Sequence, residues 1–61
     1  MLSLLRLKLD ECYDERWRIE ASLIAAQDEG AHDAVSMHLA SLQHIKSEIH
    51  RLEHEMKREA A

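Results

Sequence analysis

The chain contains no proline and only one glycine, Gly30. Sheet proteins need turn residues at short intervals, so this near absence excludes a meander or barrel of short strands. Long helices need neither residue, and a single glycine marks one place where the chain can reverse. These absences favour an all-α fold with one turn.

The chain has one cysteine, Cys12, which excludes an internal disulfide, and it has no cysteine-histidine framework for structural zinc. With 61 residues and one tryptophan and one tyrosine as its only aromatics, it can bury only a thin core as a single domain. Small domains that lack disulfides and structural metal ions are marginally stable. We therefore expect association with another copy or another protein to supply the missing stability.

No stretch approaches the roughly 20 apolar residues that a membrane-spanning helix needs. The apolar start of the chain is interrupted by Arg6 and Lys8 and is followed by no small-residue cleavage site, so we do not interpret it as a signal peptide. The lone cysteine fits a reducing compartment. We expect a cytoplasmic protein that makes no membrane contact.

Two heptad stripes are the main positive signal. The first stripe is Leu2, Leu5, Leu9, Cys12, Arg16, Ile19, Leu23 and Ala26. The second stripe is Val35, His38, Leu42, Ile45, Ile49, Leu52 and Met56, closed by Glu59. If the chain reverses at Gly30, the stripes meet in regular layers, each of which joins an a position to a d position. The predicted layers include Ile19 with Leu42, Cys12 with Ile49 and Leu9 with Leu52.

The stripes predict an antiparallel two-helix hairpin, similar to a coiled coil, as a single domain over residues 1–61. We expect helix 1 over about residues 2–29, a turn at about 30–33 and helix 2 over about 34–58. Asp33 is predicted to cap helix 2. Arg6 with Glu53, and Lys8 with Glu55, are predicted to attract each other across the facing flanks.

Several apolar side chains lie outside the two stripes, where one hairpin cannot cover them. The predicted partner-binding residues are Leu4, Leu7, Tyr13, Trp17, Ile24 and Leu39. Large apolar patches are rare on soluble monomers, and aromatic residues are frequent interface hot spots. The alternatives are that the aromatic residues wrap over the core of their own hairpin, and that the two leucines belong to a frayed terminus.

The polar residues of the stripes do not predict a catalytic or metal-binding site. Arg16 and His38 are interpreted as register-setting or partly solvated positions of the seam, with Glu20 or Glu48 receiving the guanidinium. His50 and His54 have the spacing that puts two imidazoles on one helix face, but two ligands do not make a structural zinc site. We predict no catalytic residues, no metal site and no cofactor.

The sequence therefore predicts a small non-enzymatic protein-interaction module of the adaptor, co-chaperone or inhibitor type. We expect it either to form a homodimeric four-helix bundle or to dock on a larger helical protein. In length and hairpin form it resembles the plasmid copy-number regulator Rop and the small co-chaperones of type III secretion needle subunits. The resemblance is architectural and implies no role for any individual residue.

A Rop-like RNA-binding regulator is the alternative function. The formal net charge is −4, and affinity for phosphate backbones comes from clustered lysine and arginine. The outer positions of helix 1 are Leu7, Asp14, Ala21 and Asp28. These residues make a poor phosphate-binding surface, so we expect a protein partner and not a nucleic acid.

Overall fold

A computed structural model describes the backbone of residues 2–60 and the side chains of residues 4–59. Helix α1 is Leu2–Glu29 and helix α2 is His32–Ala60, and the two helices pack against each other. At about 1.5 Å per residue each helix is roughly 42 Å long, close to the 46 Å length of the whole molecule. The helices therefore lie side by side as a hairpin, and the all-α fold expected from the sequence is confirmed.

The chain reverses at Gly30, as the sequence predicts. Gly30 has a φ of 71°, and it donates its N–H to the carbonyl of Gln27 at 3.2 Å. Ala31 donates its N–H to the carbonyl of Ala26 at 3.0 Å, which completes a Schellman motif. A Cβ at position 30 would meet nothing within 4 Å, so the need for glycine comes from the left-handed backbone and not from crowding.

Helix α2 begins two residues earlier than the sequence predicts. The carbonyl of Ala31 accepts the first helical hydrogen bond, from the N–H of Val35 at 2.9 Å, so Ala31 and not Asp33 stands at the N-cap. The reason is that the Schellman motif reverses the chain within Gly30 and Ala31 and needs no longer loop. Asp33 instead lies in the first turn of α2, where its charge complements the helix dipole.

The core follows the two stripes. The buried apolar side chains are Leu9, Ala26, Leu42, Ile45, Ile49 and Leu52, and every one of them is a stripe residue. Partly buried side chains packed against this core are Leu5, Cys12, Tyr13, Ile19, Leu23 and Met56. Stripe residue Leu2 lies outside the described side chains. Helix α2 supplies four of the six buried residues, because Cys12 and Arg16 interrupt the apolar stripe of α1.

Three grooves between the helices join the two stripes in antiparallel order, but each one pairs a residue of α1 with the stripe residue that follows the predicted one on α2, because side chains tilt toward the N-terminus of their own helix. One is lined by Ile19 of α1 and Ile45 of α2, and a second by Cys12 and Leu52. The third joins residues near the start of α1 to residues near the end of α2, Leu9 and Met56 among them. The helices are therefore antiparallel, and this orientation decides which exposed side chains share a face.

Candidate protein-interaction surface

Most of the predicted partner-binding residues are exposed in the hairpin. Trp17 is 71% exposed, although it is the largest apolar side chain of the protein. The other exposed large apolar residues are Leu4, Leu7, Ile24, Met37 and Leu39. Tyr13 is the exception, since it is half-buried and packs against the core. Leu4 and Leu7 lie in the first turns of α1, so the residues named from sequence form two separate groups.

Trp17, Ile24 and Leu39 form the larger of these groups. Trp17 and Ile24 are seven residues apart, which places them on one side of α1, two helical turns or about 10.5 Å apart. In the antiparallel pairing Leu39 lies on α2 at a height between them and on the same flank of the hairpin. Beside it, Leu39, Leu42, Gln43 and Lys46 line an open groove on α2. We call these three apolar residues and this groove the Trp17 face.

The half of the hairpin next to the turn carries an uncharged band. Residues 21–27 of α1 and residues 34–43 of α2 contain no Asp, Glu, Lys or Arg, and the turn brings these two segments side by side. The band exposes Ile24, Leu39 and also Met37, which is 62% exposed. Depletion of charge is typical of the centre of protein interfaces. Sequence reasoning missed Met37 and the band, although the matching charge-free segments were visible in the sequence.

The charged residues lie mostly in the other half, where they pair along their own helices. The ion pairs among the described residues are Arg6–Asp10, Arg18–Asp14, Arg51–Glu48 and Arg51–Glu55, with distances of 2.8–3.7 Å. The hydrogen bonds and the charge of Arg51 hold the pKa of the Glu48 carboxyl below its usual range. Arg6 and Lys8 therefore do not make the cross-helix pairs with Glu53 and Glu55 that the sequence predicts.

Tyr13 takes the place of Arg6 as the partner of Glu53. Its hydroxyl donates a hydrogen bond to Oε2 of Glu53 at 2.5 Å. Side chains tilt toward the N-terminus of their own helix, so in an antiparallel pair Tyr13 and Glu53 lean toward each other, whereas Arg6 and Glu53 lean apart. The guanidinium of Arg16 lies over the Tyr13 ring, 5.4 Å from its centroid, and not on a carboxylate as predicted.

The hydrogen bond to Glu53, with burial as a smaller cause, raises the pKa of the Tyr13 phenol above its ordinary value of 10.0. Because the folded-state pKa is raised, the stability that the neutral phenol contributes is present below about pH 10 and is lost as the pH rises through the folded-state pKa. Glu53→Gln should move the phenol pKa back toward its ordinary value. Tyr13 is the only tyrosine, so an absorbance titration of tyrosinate measures this pKa directly.

The matched control for this titration is Glu59→Gln, which removes an equal charge from an exposed position near the end of α2. It should leave the titration of Tyr13 unchanged. Equal midpoints in the wild type, Glu53→Gln and Glu59→Gln would contradict the hydrogen bond.

Cys12 and the histidines offer no reactive cluster in the described part of the chain. Burial first, and then the carboxylates of Glu48, Glu15 and Glu11, raise the pKa of the Cys12 thiol. The reactive thiolate is therefore scarce at neutral pH. Within residues 4–59 no group of three or more His, Cys, Asp or Glu side chains is arranged to hold a metal ion. Neither α1 nor α2, as far as they are described, is long and apolar enough to cross a membrane.

The chain shows no significant match to any protein-family model, to any curated protein or to any solved structure. What the hairpin does is therefore argued from its own geometry, and the most distinctive part of that geometry is the Trp17 face.

Proposed function

We propose that this hairpin is a non-enzymatic protein-interaction module that binds through the Trp17 face, and that two hairpins associate into a four-helix bundle. The observation that carries the proposal is the exposure of Trp17, Ile24 and Leu39 on one flank, at the edge of a band without charge. Apolar groups in this arrangement gain free energy when a second surface removes them from water. Tryptophan is also among the residue types that anchor interfaces most often.

The thin core supports the same proposal. Among the described residues no large side chain is completely buried, and the core consists of one layer of side chains between two helices. Packing a second helical layer on the Trp17 face would cover Trp17 and the exposed edge of Leu39. Association therefore contributes stability as well as binding.

The charges of the described residues favour a protein partner over a nucleic acid. Arg18 and Arg51 are already paired with carboxylates of their own helices, and the net charge of the chain is −4. Because the acidic residues outnumber Lys and Arg by 12 to 8, the chain as a whole is repelled by a phosphate backbone. An adaptor, co-chaperone or inhibitor would work by such occupation of a protein surface, and the half-buried thiol of Cys12 fits a reducing cytoplasm.

Trp17 is the only tryptophan, so its fluorescence tests the proposal directly. In the isolated hairpin the indole is 71% exposed and should emit as a solvated ring. We expect the emission maximum to lie further to the blue in the concentrated protein, and to shift to the red on dilution as the Trp17 face loses its partner.

A gel-shift titration with structured RNA and with duplex DNA, at about 0.15 M salt, is the control. We expect no binding below micromolar concentration. Tight binding of either nucleic acid that survives the substitution of Trp17 would overturn the proposal in favour of the RNA-binding alternative.

A further inference from the structure

The groove on α2 is an unfilled site on the Trp17 face. Leu42, which is 8% exposed, forms its floor, and the half-exposed Leu39 forms part of its rim. It is open to solvent and has a volume of ≈ 490 Å³. Lys46 closes its other end and takes part in none of the ion pairs among the described residues. The groove therefore combines two leucine side chains with one amide and one cation that is in no ion pair among the described residues.

Trp17 has the chemistry that this groove would accept, but it does not reach the groove of its own chain. An indole ring combines a large apolar area with a face that attracts a cation such as the ammonium of Lys46. Trp17 stands on α1 at a position turned away from the seam, and its 71% exposure shows that its own α2 does not cover it. The groove and the indole ring are thus complementary, but the ring of one molecule can fill only the groove of a second molecule.

The heights of these residues along the hairpin decide how two copies can align. In the antiparallel pairing, Ile24 and Leu39 differ in height by two residues, and so do Trp17 and Lys46, which is about 3 Å in each case. A twofold axis parallel to the helices places α1 of one copy against α2 of the other at equal height. Ile24 then meets the second copy's Leu39, and Trp17 meets the second copy's groove.

The opposite alignment, with the two turns at opposite ends, has no such complementarity. It sets the uncharged band of one copy against the half of the other that carries Arg6, Asp10 and Glu53 on the same flank. Apolar side chains would then remove the exposed Arg6–Asp10 ion pair and the carboxylate of Glu53 from water, which is unfavourable. In the parallel alignment the charged halves of the two copies lie at the same end, so the uncharged bands meet each other and the charged groups keep the partners of their own chains.

We propose that two hairpins pair through the Trp17 face with both turns at the same end, and that each Trp17 occupies the groove formed by Leu39, Leu42, Gln43 and Lys46 of the other copy. This inference rests on the proposed function, which already pairs two hairpins, and it adds how the two copies align and where each Trp17 binds. The broad side of the hairpin measures 46 by 14 Å. That outline approaches the size of a standard interface, about 800 Å² per partner, only if the copies overlap along their full length.

A spin-label distance measurement tests the alignment. In a Cys12→Ala background, the exposed Asp28 beside the turn is replaced by cysteine and labelled. The parallel alignment predicts a label-to-label distance of about 20–30 Å, the width of a four-helix bundle with labels. The opposite alignment predicts about 40 Å or more, because the turns then lie one helix length apart.

A second label at the exposed Arg58, near the other end of the hairpin, provides the matched control. Mixed dimers with one chain labelled at position 28 and one at position 58 should show the long distance. A short distance in the mixed dimer and a long distance between the two turn labels would overturn the parallel alignment.

A charge reversal at Lys46 tests whether Trp17 of the second copy binds in the groove. Lys46→Glu should weaken self-association at least about tenfold, because it replaces the cation under the indole with a carboxylate. Lys8→Glu makes the same change in charge on the other flank of the hairpin and should leave the dissociation constant within about twofold. Equal effects of the two substitutions in sedimentation equilibrium would overturn the inference.

Failure of this inference can be told from failure of the proposed function. A chain whose self-association needs Trp17, but whose turn labels lie at opposite ends of the dimer, overturns the inference and leaves the proposed function standing. A chain that stays monomeric at high concentration, and that binds a different purified protein only while Trp17 is intact, overturns the inference and the four-helix bundle but not the binding through the Trp17 face. Association with itself or with another protein that ignores substitution of Trp17 overturns both.

Discussion

Replacing Leu42 or Ile49 with alanine should lower the free energy of unfolding by about 2–5 kcal/mol. Both side chains are buried in the core cluster, with 8% and 5% of their surface exposed. Each truncation removes apolar contact and leaves a cavity between two helices that pack in a single layer. Since domains of this size are stabilised by only a few kcal/mol, either variant should melt at a much lower temperature or lose its helical structure at room temperature.

Ser47→Ala on the exposed surface of α2, outside the groove, is the control for these core substitutions. It keeps the helix propensity high and removes no buried contact, so it should change the stability by less than about 0.5 kcal/mol. Far-ultraviolet circular dichroism during thermal and urea unfolding gives the comparison. If the core and surface variants melted together, the helix pairing described above would be wrong.

Replacing Trp17 with glutamate and Ile24 with lysine in one variant should abolish association while both helices persist. The two side chains are 71% and 59% exposed, so the hairpin itself loses little packing when they change. A partner surface, by contrast, would have to desolvate two charges that it cannot pair. Sedimentation or light scattering should find only the monomer at concentrations where the wild type associates, and the circular dichroism spectrum should stay helical.

Leu4→Glu with Leu7→Lys is the matched control for this variant. It introduces the same two charges at apolar residues that are each 57% exposed, but in the first turns of α1, away from the Trp17 face. We expect this variant to associate as the wild type does. A loss of association in the control alone would move the binding surface to the start of α1.

Because periodicity is a local property, the sequence by itself determined the hairpin. Steps of three and four place Leu9, Leu42 and Leu52 on seam-facing sides whatever the partner helix does, and these residues are buried in the structure. Gly30 is the only residue that takes a left-handed conformation without strain, so the turn could be placed from composition alone.

Only the tertiary structure decided how side chains meet across the hairpin. Pairing by heptad position predicts a contact between Arg6 and Glu53. The side chains of antiparallel helices tilt in opposite directions, and this brings Tyr13 to Glu53 instead. Heptad position fixes the face on which a residue lies but not this tilt, so it pairs residues at equal height and not the residues whose side chains lean together. The exposure of Trp17, which lies apart from the groove on α2, likewise depends on how far side chains reach across the two packed helices.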